Sequence, residues 1–150
     1  MELHTDRLRV IPCTNELLST ISTEDYEIGP HINLYVEKLE EDSALLGWGV
    51  WFVFDKGDRV IGDIGFKGKP NGENTVEIGY GIVPIAQNKG YATEAVQALI
   101  DWAFSTGNVE RIVAECRHDN LPSIRVLEKL QMTRVKLVNG LLKWELTSNP

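Results

Sequence analysis

The clearest pattern of hydrophobic and polar positions lies in the second half of the chain, over residues 75–104. Small and apolar residues there repeat at the spacing of one helix face: Ala92, Ala95, Val96, Leu99, Ile100 and Ala103. A period of about 3.6 residues predicts an amphipathic helix that begins just after Gly90. Residues 75–80 alternate as a strand does, and Gly79, Gly81 and Pro84 then interrupt regular pairing. The segment is therefore predicted to be a strand, a glycine turn and a helix.

Patterns of the same kind predict the rest of the chain. Runs with a period of two residues favour strands, which turn sequences such as Asn139-Gly140 join into hairpins; the predicted strands are 8–11, 47–54, 59–66, 74–82, 111–116, 132–138 and 141–147. Three further helices are predicted after Thr14, at Pro30 and after Asn120. The order β-α-α-β-β-β-α-β-α-β-β indicates an α+β fold with a mixed sheet. The strands before and after the long helix should be parallel, because the helix crosses between them.

Length and charge restrict the classes of function. A chain of 150 residues with 43% hydrophobic content is expected to form one domain that buries about 68–70% of its unfolded surface. The net charge of −7 argues against a nucleic-acid surface and suits a cationic partner. The longest apolar run is far below the ~20 residues of a membrane span, and the start of the chain lacks the apolar core of a signal peptide. With two cysteines and no disulfide framework, a reducing cytoplasm is the expected location.

The turn before the long helix is a candidate anion site. The first N–H groups of a helix have no partner within the helix, and they carry the positive end of its dipole. Gly90 would let a phosphate approach that backbone without meeting a side chain. From the turn alone, an ordinary tight connection between strand and helix is an equal alternative.

Two better-known phosphate motifs are absent from the same region. Residues 79–84 begin like a dinucleotide fingerprint, but Pro84 stands where that motif needs its third glycine. Lys89-Gly90 has the wrong residue order for a nucleoside-triphosphate loop. The three histidines never recur at a metal-ligand spacing and no Cys-x-x-Cys exists, so no metal is expected.

Three stretches together resemble the GNAT superfamily of N-acetyltransferases. Residues 87–92 (QNKGYA) match its acyl-CoA motif, [QR]-x-x-G-x-[GA]. Residues 120–130 (NLPSIRVLEKL) are similar to the N-x-x-S-x-x-x-L-E-K-L run of the branch that includes ribosomal-protein N-terminal (alanine/serine) acetyltransferases. Residues 3–8 (LHTDRL) resemble the start of that branch. The resemblance implies a GNAT-like fold, in which helices flank a twisted, mostly antiparallel sheet with one splayed parallel pair.

The resemblance also implies a reaction and a cofactor. Acetyl-CoA would donate its acetyl group directly to a primary amine in a ternary complex, without a metal. The acceptor would be a protein N-terminal α-amine or a small amine, and the enzyme a monomer or homodimer. The expected cofactor contacts are the turn around the pyrophosphate, Asn120 on the pantetheine arm, Ser123 near the sulfur, and a backbone N–H near Ile82 or Val83 on the thioester oxygen; the turn comprises Gln87, Asn88, Lys89, Gly90, Tyr91 and Ala92.

Two side chains are candidates for proton transfer. Glu77 lies on the strand beside the expected acyl site and is the candidate base, with a carboxylate in a cross-strand charge pair as the alternative. Ser123 is the candidate acid for the leaving thiolate, with a capping-turn serine as the alternative. Tyr80 is interpreted as a packing residue.

The chain departs from the family pattern at two places. Many relatives carry a tyrosine acid in the second helix, where this chain has Leu127. Relatives also have Gly-Phe after the E-K-L run, where this chain has Gln131-Met132, and a helix end without glycine costs stability. These departures leave open a catalytically degenerate protein that binds CoA as a sensor or interaction module.

Overall fold

Eight strands form one sheet in the computed structural model, which describes residues 1–82 and 86–148. The strands are β1 (Leu3–His4), β2 (Arg9–Pro12), β3 (Val50–Phe54), β4 (Val60–Phe66), β5 (Thr75–Ile82), β6 (Arg111–Arg117), β7 (Thr133–Val138) and β8 (Leu141–Thr147). The helices are α1 (Asn15–Thr20), α2 (Pro30–Glu41), α3 (Tyr91–Ser105) and α4 (Leu121–Lys129), and a short 3₁₀ helix (Ser43–Leu45) follows α2. Every predicted element is present, and the two-residue β1 is an addition.

The order of strands across the sheet is β1-β2-β3-β4-β5-β6-β8-β7. Neighbouring strands are antiparallel except β5 and β6, which run parallel. The prediction of an α+β fold with a mixed, mostly antiparallel sheet and one parallel pair is therefore confirmed.

The parallel pair separates along its length. β5 pairs with β6 only from Thr75 to Glu77, whereas its pairing with β4 continues to Ile82, opposite Gly62. The edge of β5 that faces β6 consequently lacks strand partners from Ile78 onward, which opens a gap in the middle of the sheet. Val83 and Pro84, which the sequence also placed at this splay, lie outside the described residues.

Helices cover the sheet on two faces. The larger core lies between the sheet and the apolar stripe of α3, and it continues under α4. A smaller core lies on the opposite face, under α1 and α2, and contains Ile32, Tyr35, Val36, Val50, Phe52 and Phe54. Because α2 covers only part of this second face, the sheet beside it remains accessible.

The end of α4 keeps a left-handed turn without glycine. Gln131 has a φ of 63°, and the next residue, Met132, donates its N–H to the carbonyl of Leu127 at 3.1 Å. This is the Schellman arrangement that usually has glycine at the left-handed position. Gln131 thus takes the position that glycine usually has in this turn, at a strain of about 1–2 kcal/mol.

Candidate active site

The glycine turn before α3 has the geometry of an anion cradle. Gly90 is the N-cap of α3 with φ 80° and ψ 6°, and Asn88 is also left-handed, with φ 63°. Glycine has no side-chain oxygen to cap the helix, so its first N–H groups stay available for a ligand. The turn can therefore receive a pyrophosphate on backbone donors.

The side chain of Gln87 braces the segment that leads into this turn. Its amide nitrogen donates to the carbonyl of Ile82 at 2.9 Å. The bond links the last residue of β5 to the start of the turn across residues 83–85. Ile82 thus lies at the mouth of the gap between β5 and β6, while Val83 is outside the described residues.

Arg7 and Glu94 clamp the same turn from the side, and the sequence did not single out either residue. The guanidinium of Arg7 donates to Glu94 Oε1 at 2.7 Å and to the carbonyl of Lys89 at 2.9 Å, and it stacks on the ring of Tyr91. The Thr5 hydroxyl and the Arg7 backbone N–H also donate to Glu94. The only sequence signal was the family-like start at residues 3–8, which contains both donors.

Neutralising Glu94 should loosen this clamp. Partial burial opposes ionisation of Glu94, but hydrogen bonds from Thr5 and Arg7 outweigh it and lower the pKa of the carboxyl. A lowered pKa adds stability above the unfolded value of about 4.3, and this stability is lost as pH falls through the folded pKa. Glu94→Gln should therefore lower the melting temperature at pH 7. The difference from the parent protein should shrink towards pH 3, and a difference that does not change with pH would contradict the charge argument.

Asn120 and Ser123 stand together at the start of α4, as the sequence predicted. Asn120 is the N-cap, and its side-chain oxygen accepts the N–H of Ser123 at 3.2 Å. The Tyr80 hydroxyl donates to the carbonyl of Ser123 at 3.4 Å, and burial raises the pKa of this phenol. Tyr80 therefore links β5 to α4 on the helix side of the gap.

Leu127, at the family tyrosine position, is a core residue. It is 1% exposed and belongs to the core beneath α3 and α4. The side chain at this position packs instead of presenting a hydroxyl to the gap. The hydroxyls near the start of α4 are those of Ser123 and Tyr80.

Glu77 lies where the parallel pairing of β5 ends. Its carboxylate accepts from Lys67 Nζ at 2.8 Å and is one-third exposed. This ion pair is the cross-strand pair that the sequence left open as an alternative. The contact fixes the carboxylate on the α2 face of the sheet, four residues before Gly81, or about 13 Å along the strand.

A cavity of about 700 Å³ opens on the α2 face of the sheet. Its floor includes Gly79 and Gly81 of β5, and its walls include Leu34, Tyr35, Lys38, Asp63 and Lys67. A side-chain carbon added at Gly81 would meet no atom of residues 1–82 and 86–148 within 4 Å. Among the described residues, nothing therefore covers the α2 face of the sheet at Gly81.

Asp63 is held by two side chains from other segments at this cavity. The Tyr26 hydroxyl donates to Asp63 Oδ2 at 2.5 Å, and His31 Nε2 lies 2.8 Å from Oδ1. Burial, then the hydrogen bond and charge of Asp63, raise the pKa of Tyr26, so the phenol remains a donor. Burial first and the Asp63 charge second raise the pKa of Cys13 to about 11, which makes that thiol inert.

The sequence missed Tyr26, His31 and Asp63 as a group. They come from the loop after α1, from α2 and from β4, so no spacing in the sequence connects them. The available signal was a lone aspartate inside an otherwise apolar and glycine-containing strand, 60–66.

Two other observations concern the described part of the chain. No group of three or more histidine, cysteine, aspartate or glutamate side chains in it is arranged to hold a metal ion. None of the helices in residues 1–82 and 86–148 combines the length and apolarity that a membrane crossing needs.

Comparison with known proteins identifies the family. The model of the acetyltransferase (GNAT) domain matches residues 15–133. The uncharacterized N-acetyltransferase YjdG of Bacillus subtilis is 34% identical over 146 residues, covering 85% of this chain and 87% of that protein. Ribosomal-protein-serine acetyltransferase of Escherichia coli is 36% identical over 80 residues, covering 53% of this chain and 45% of that protein.

A solved structure agrees in fold. The ribosomal L7/L12 α-N-protein acetyltransferase RimL, in complex with coenzyme A, superimposes with a TM-score of 0.75 at 15% identity and 98% coverage of both chains. The glycine turn and the splayed parallel strands of the structure are consistent with the family match. The chain belongs to the GNAT family of acetyltransferases, whose members use acetyl-CoA.

Proposed function

We propose that this protein transfers the acetyl group of acetyl-CoA directly to a primary amine while both are bound. The observation that carries the proposal is the convergence of two openings at one end of β5. The glycine turn before α3 follows that end on one side of the gap, and the cavity under α2 reaches Gly81 on the other. A cofactor and an acceptor entering from the two sides would meet there, so no covalent enzyme intermediate is required.

The cofactor would lie along the start of α3 and the gap between β5 and β6. Backbone N–H groups of residues 87–92 would bind the pyrophosphate, where the left-handed turn supports this role. Asn120 uses its side-chain oxygen as a helix cap, which leaves its amide NH₂ to donate to the pantetheine arm. A backbone N–H near Ile82 or Val83 would bind the thioester oxygen where negative charge develops.

The reaction needs one proton acceptor and one proton donor. The amine nitrogen attacks the thioester carbon, the new C–N bond forms, and the C–S bond breaks with its electron pair on sulfur. The amine proton would pass along a chain of water molecules to Glu77, four residues from Gly81 along β5, whose carboxylate faces the α2 side of the sheet with Lys67. The thiolate would take a proton from the Ser123 hydroxyl in the first turn of α4, and the serine would take a proton from water in turn.

The acceptor class is proposed from the net charge of the chain and from the names of its relatives. A chain of net charge −7 favours a cationic acceptor. One relative is named for acetylating a ribosomal protein at serine, and RimL for acetylating the α-amine of ribosomal L7/L12. We therefore propose a protein N-terminal α-amine or a small primary amine as the acceptor.

A panel of amines tests the proposal. Purified protein would be mixed with acetyl-CoA and, separately, hexylamine, 1,6-diaminohexane, spermidine, free lysine and short peptides with N-terminal alanine or serine. Release of free CoA would be followed, and the acetylated product confirmed by mass. Turnover of at least one amine is expected. Tight binding of acetyl-CoA with no turnover on any of them would favour the degenerate CoA-binding sensor.

Ser123→Ala should separate a catalytic serine from a structural one. Loss of the hydroxyl removes the proposed acid, so turnover is expected to fall by about 10²-fold while the acetyl-CoA Michaelis constant changes little. The Asn120 cap accepts the backbone N–H of Ser123, which survives the substitution. Steady-state kinetics with varied acetyl-CoA would check this. A raised Michaelis constant with full turnover would make Ser123 a binding or capping residue.

A further inference from the structure

Asp63 lies directly beside the open end of β5. In the antiparallel pairing of β4 with β5, Asp63 is opposite Gly81, and paired residues point to the same face of a sheet. Their α-carbons are about 4.5–5.5 Å apart in such pairs. No atom of the described residues lies within 4 Å of a side-chain carbon added at Gly81, so a ligand there would contact Asp63. By contrast, Glu77 is four residues away along β5.

The carboxylate of Asp63 is oriented before any ligand arrives. Tyr26 donates to one oxygen, and His31 lies within hydrogen-bond distance of the other. Each carboxylate oxygen can accept two hydrogen bonds, so both retain capacity for a further donor. Asp63 is 19% exposed in its side chain, and it is the one acidic side chain among the described residues that line the cavity. The arrangement presents a fixed negative charge to an incoming ammonium or amine.

The remainder of the cavity disfavours a second positive charge. Lys38 of α2 and Lys67, which directly follows β4, also line it. Lys67 shares the sheet face of Asp63, lies four residues after it and just beyond β4, about 13 Å along the chain, and is paired with Glu77. Between these charges the wall includes Tyr35, which is buried, and Leu34, which is 52% exposed at the mouth. An apolar substituent fits this wall, whereas a second ammonium would meet the positive charge of Lys38, since the charge of Lys67 is paired with Glu77.

We propose that Asp63 is the acceptor-binding residue, and that the acceptor is a primary amine with one positive charge and an apolar substituent next to it. The inference rests on the proposed transfer to an amine. Asp63 accepts a hydrogen bond from the amine above Gly81 and stabilises the positive charge that forms on its nitrogen during attack. The substituent lies against Leu34 and Tyr35. The proton still leaves through water to Glu77, so Asp63 is a binding and positioning residue.

Asp63→Asn tests the contact. The substitution keeps the size of the side chain but removes its charge, so kcat/KM for hexylamine should fall about 10–100-fold, mainly through KM. The acetyl-CoA dissociation constant, measured by calorimetry, should stay within twofold. Asp101→Asn, which removes an exposed carboxylate on α3, is the matched control and should leave both values unchanged. An unchanged kcat/KM in Asp63→Asn would overturn the inference, while lack of turnover with every amine would instead overturn the proposed function.

A second experiment measures which amines the parent protein prefers, so it does not depend on the folding of Asp63→Asn. Hexylamine and 1,6-diaminohexane differ only by a terminal ammonium, and the parent protein should prefer hexylamine by at least tenfold in kcat/KM. Lys38→Glu should reduce that preference severalfold, because it converts the repelling charge into an attractive one. Equal use of the two amines by the parent protein, acceptance of other amines but not hexylamine, or a preference unaffected by Lys38→Glu would each overturn the proposed acceptor class.

Discussion

Replacing Gly90 with glutamate should weaken acetyl-CoA binding at least 100-fold. The glutamate would place a negative charge where the pyrophosphate is proposed to lie, and such like-charge contacts cost several kcal/mol. Space is also short, because a side-chain carbon at Gly90 would come 3.3 Å from Arg7 Nη2. Calorimetric titration with acetyl-CoA measures the change directly.

A matched control exists at the other end of the same helix. Gly107 follows α3 with a φ of 78°, close to the 80° of Gly90, and an added side-chain carbon there would meet no atom within 4 Å. Gly107→Glu therefore introduces the same charge and the same backbone strain, about 1–2 kcal/mol, away from the proposed cradle. It should bind acetyl-CoA as the parent protein does. Equal affinity in both variants would locate the cofactor elsewhere.

Most of the fold was predictable because its signals are local. The stripe of α3, the Asn139-Gly140 turn and the Asn120 cap each occupy a few neighbouring residues, and each element formed where its pattern lies. Strand β1 was missed because two residues are too few to show a period. At the end of α4, the preference of glycine for left-handed backbone does not predict the turn. Gln131 takes the left-handed conformation there because the packing of Met132, 5% exposed, requires the turn.

The local geometry of the candidate site was predictable only in part. The glycine turn and the Asn120 cap, on the proposed cofactor side, each lie in one short segment that the sequence shows directly. The acceptor side depends on Asp63 meeting Tyr26 and His31, and the clamp on the turn depends on Arg7 meeting Glu94, 87 residues away. Contacts between such distant segments form only in the tertiary fold. A single charged residue in the sequence therefore does not show which residue it will contact.

The position of Glu77 in the chain and its contacts in the structure support different roles for this residue. Its position beside the splay favours a base, whereas its contact with Lys67 is what a structural carboxylate would make. An ion pair at a one-third-exposed position contributes only about 0–1 kcal/mol to stability. Removing its charge should consequently leave the fold intact, which makes catalysis the informative measurement.

Glu77→Gln is expected to lower turnover by about 10²–10⁴ at neutral pH, the usual range for loss of a general base. The glutamine keeps the size of the side chain and a hydrogen-bond acceptor but cannot take the proton. Glu145→Gln is the matched control, because Glu145 forms a similar cross-strand ion pair with Arg111 and is nearly equally exposed, at 35% against 33%. If a lost surface ion pair were the cause, both variants would lose activity alike.

The pH dependence separates a base from any other role of Glu77. An amine near pKa ~10.4 arrives almost wholly protonated at pH 7, whereas an α-amine near ~7.7–8.0 is already partly neutral. The defect in Glu77→Gln should therefore shrink as pH rises towards 9, and it should be smaller for a peptide α-amine than for hexylamine. Near-full activity of Glu77→Gln from pH 6 to 9 on a verified acceptor would assign Glu77 to the ion pair alone. The proton would then pass to water or to a group on the acceptor side, where Asp63 and His31 are the nearest titratable pair.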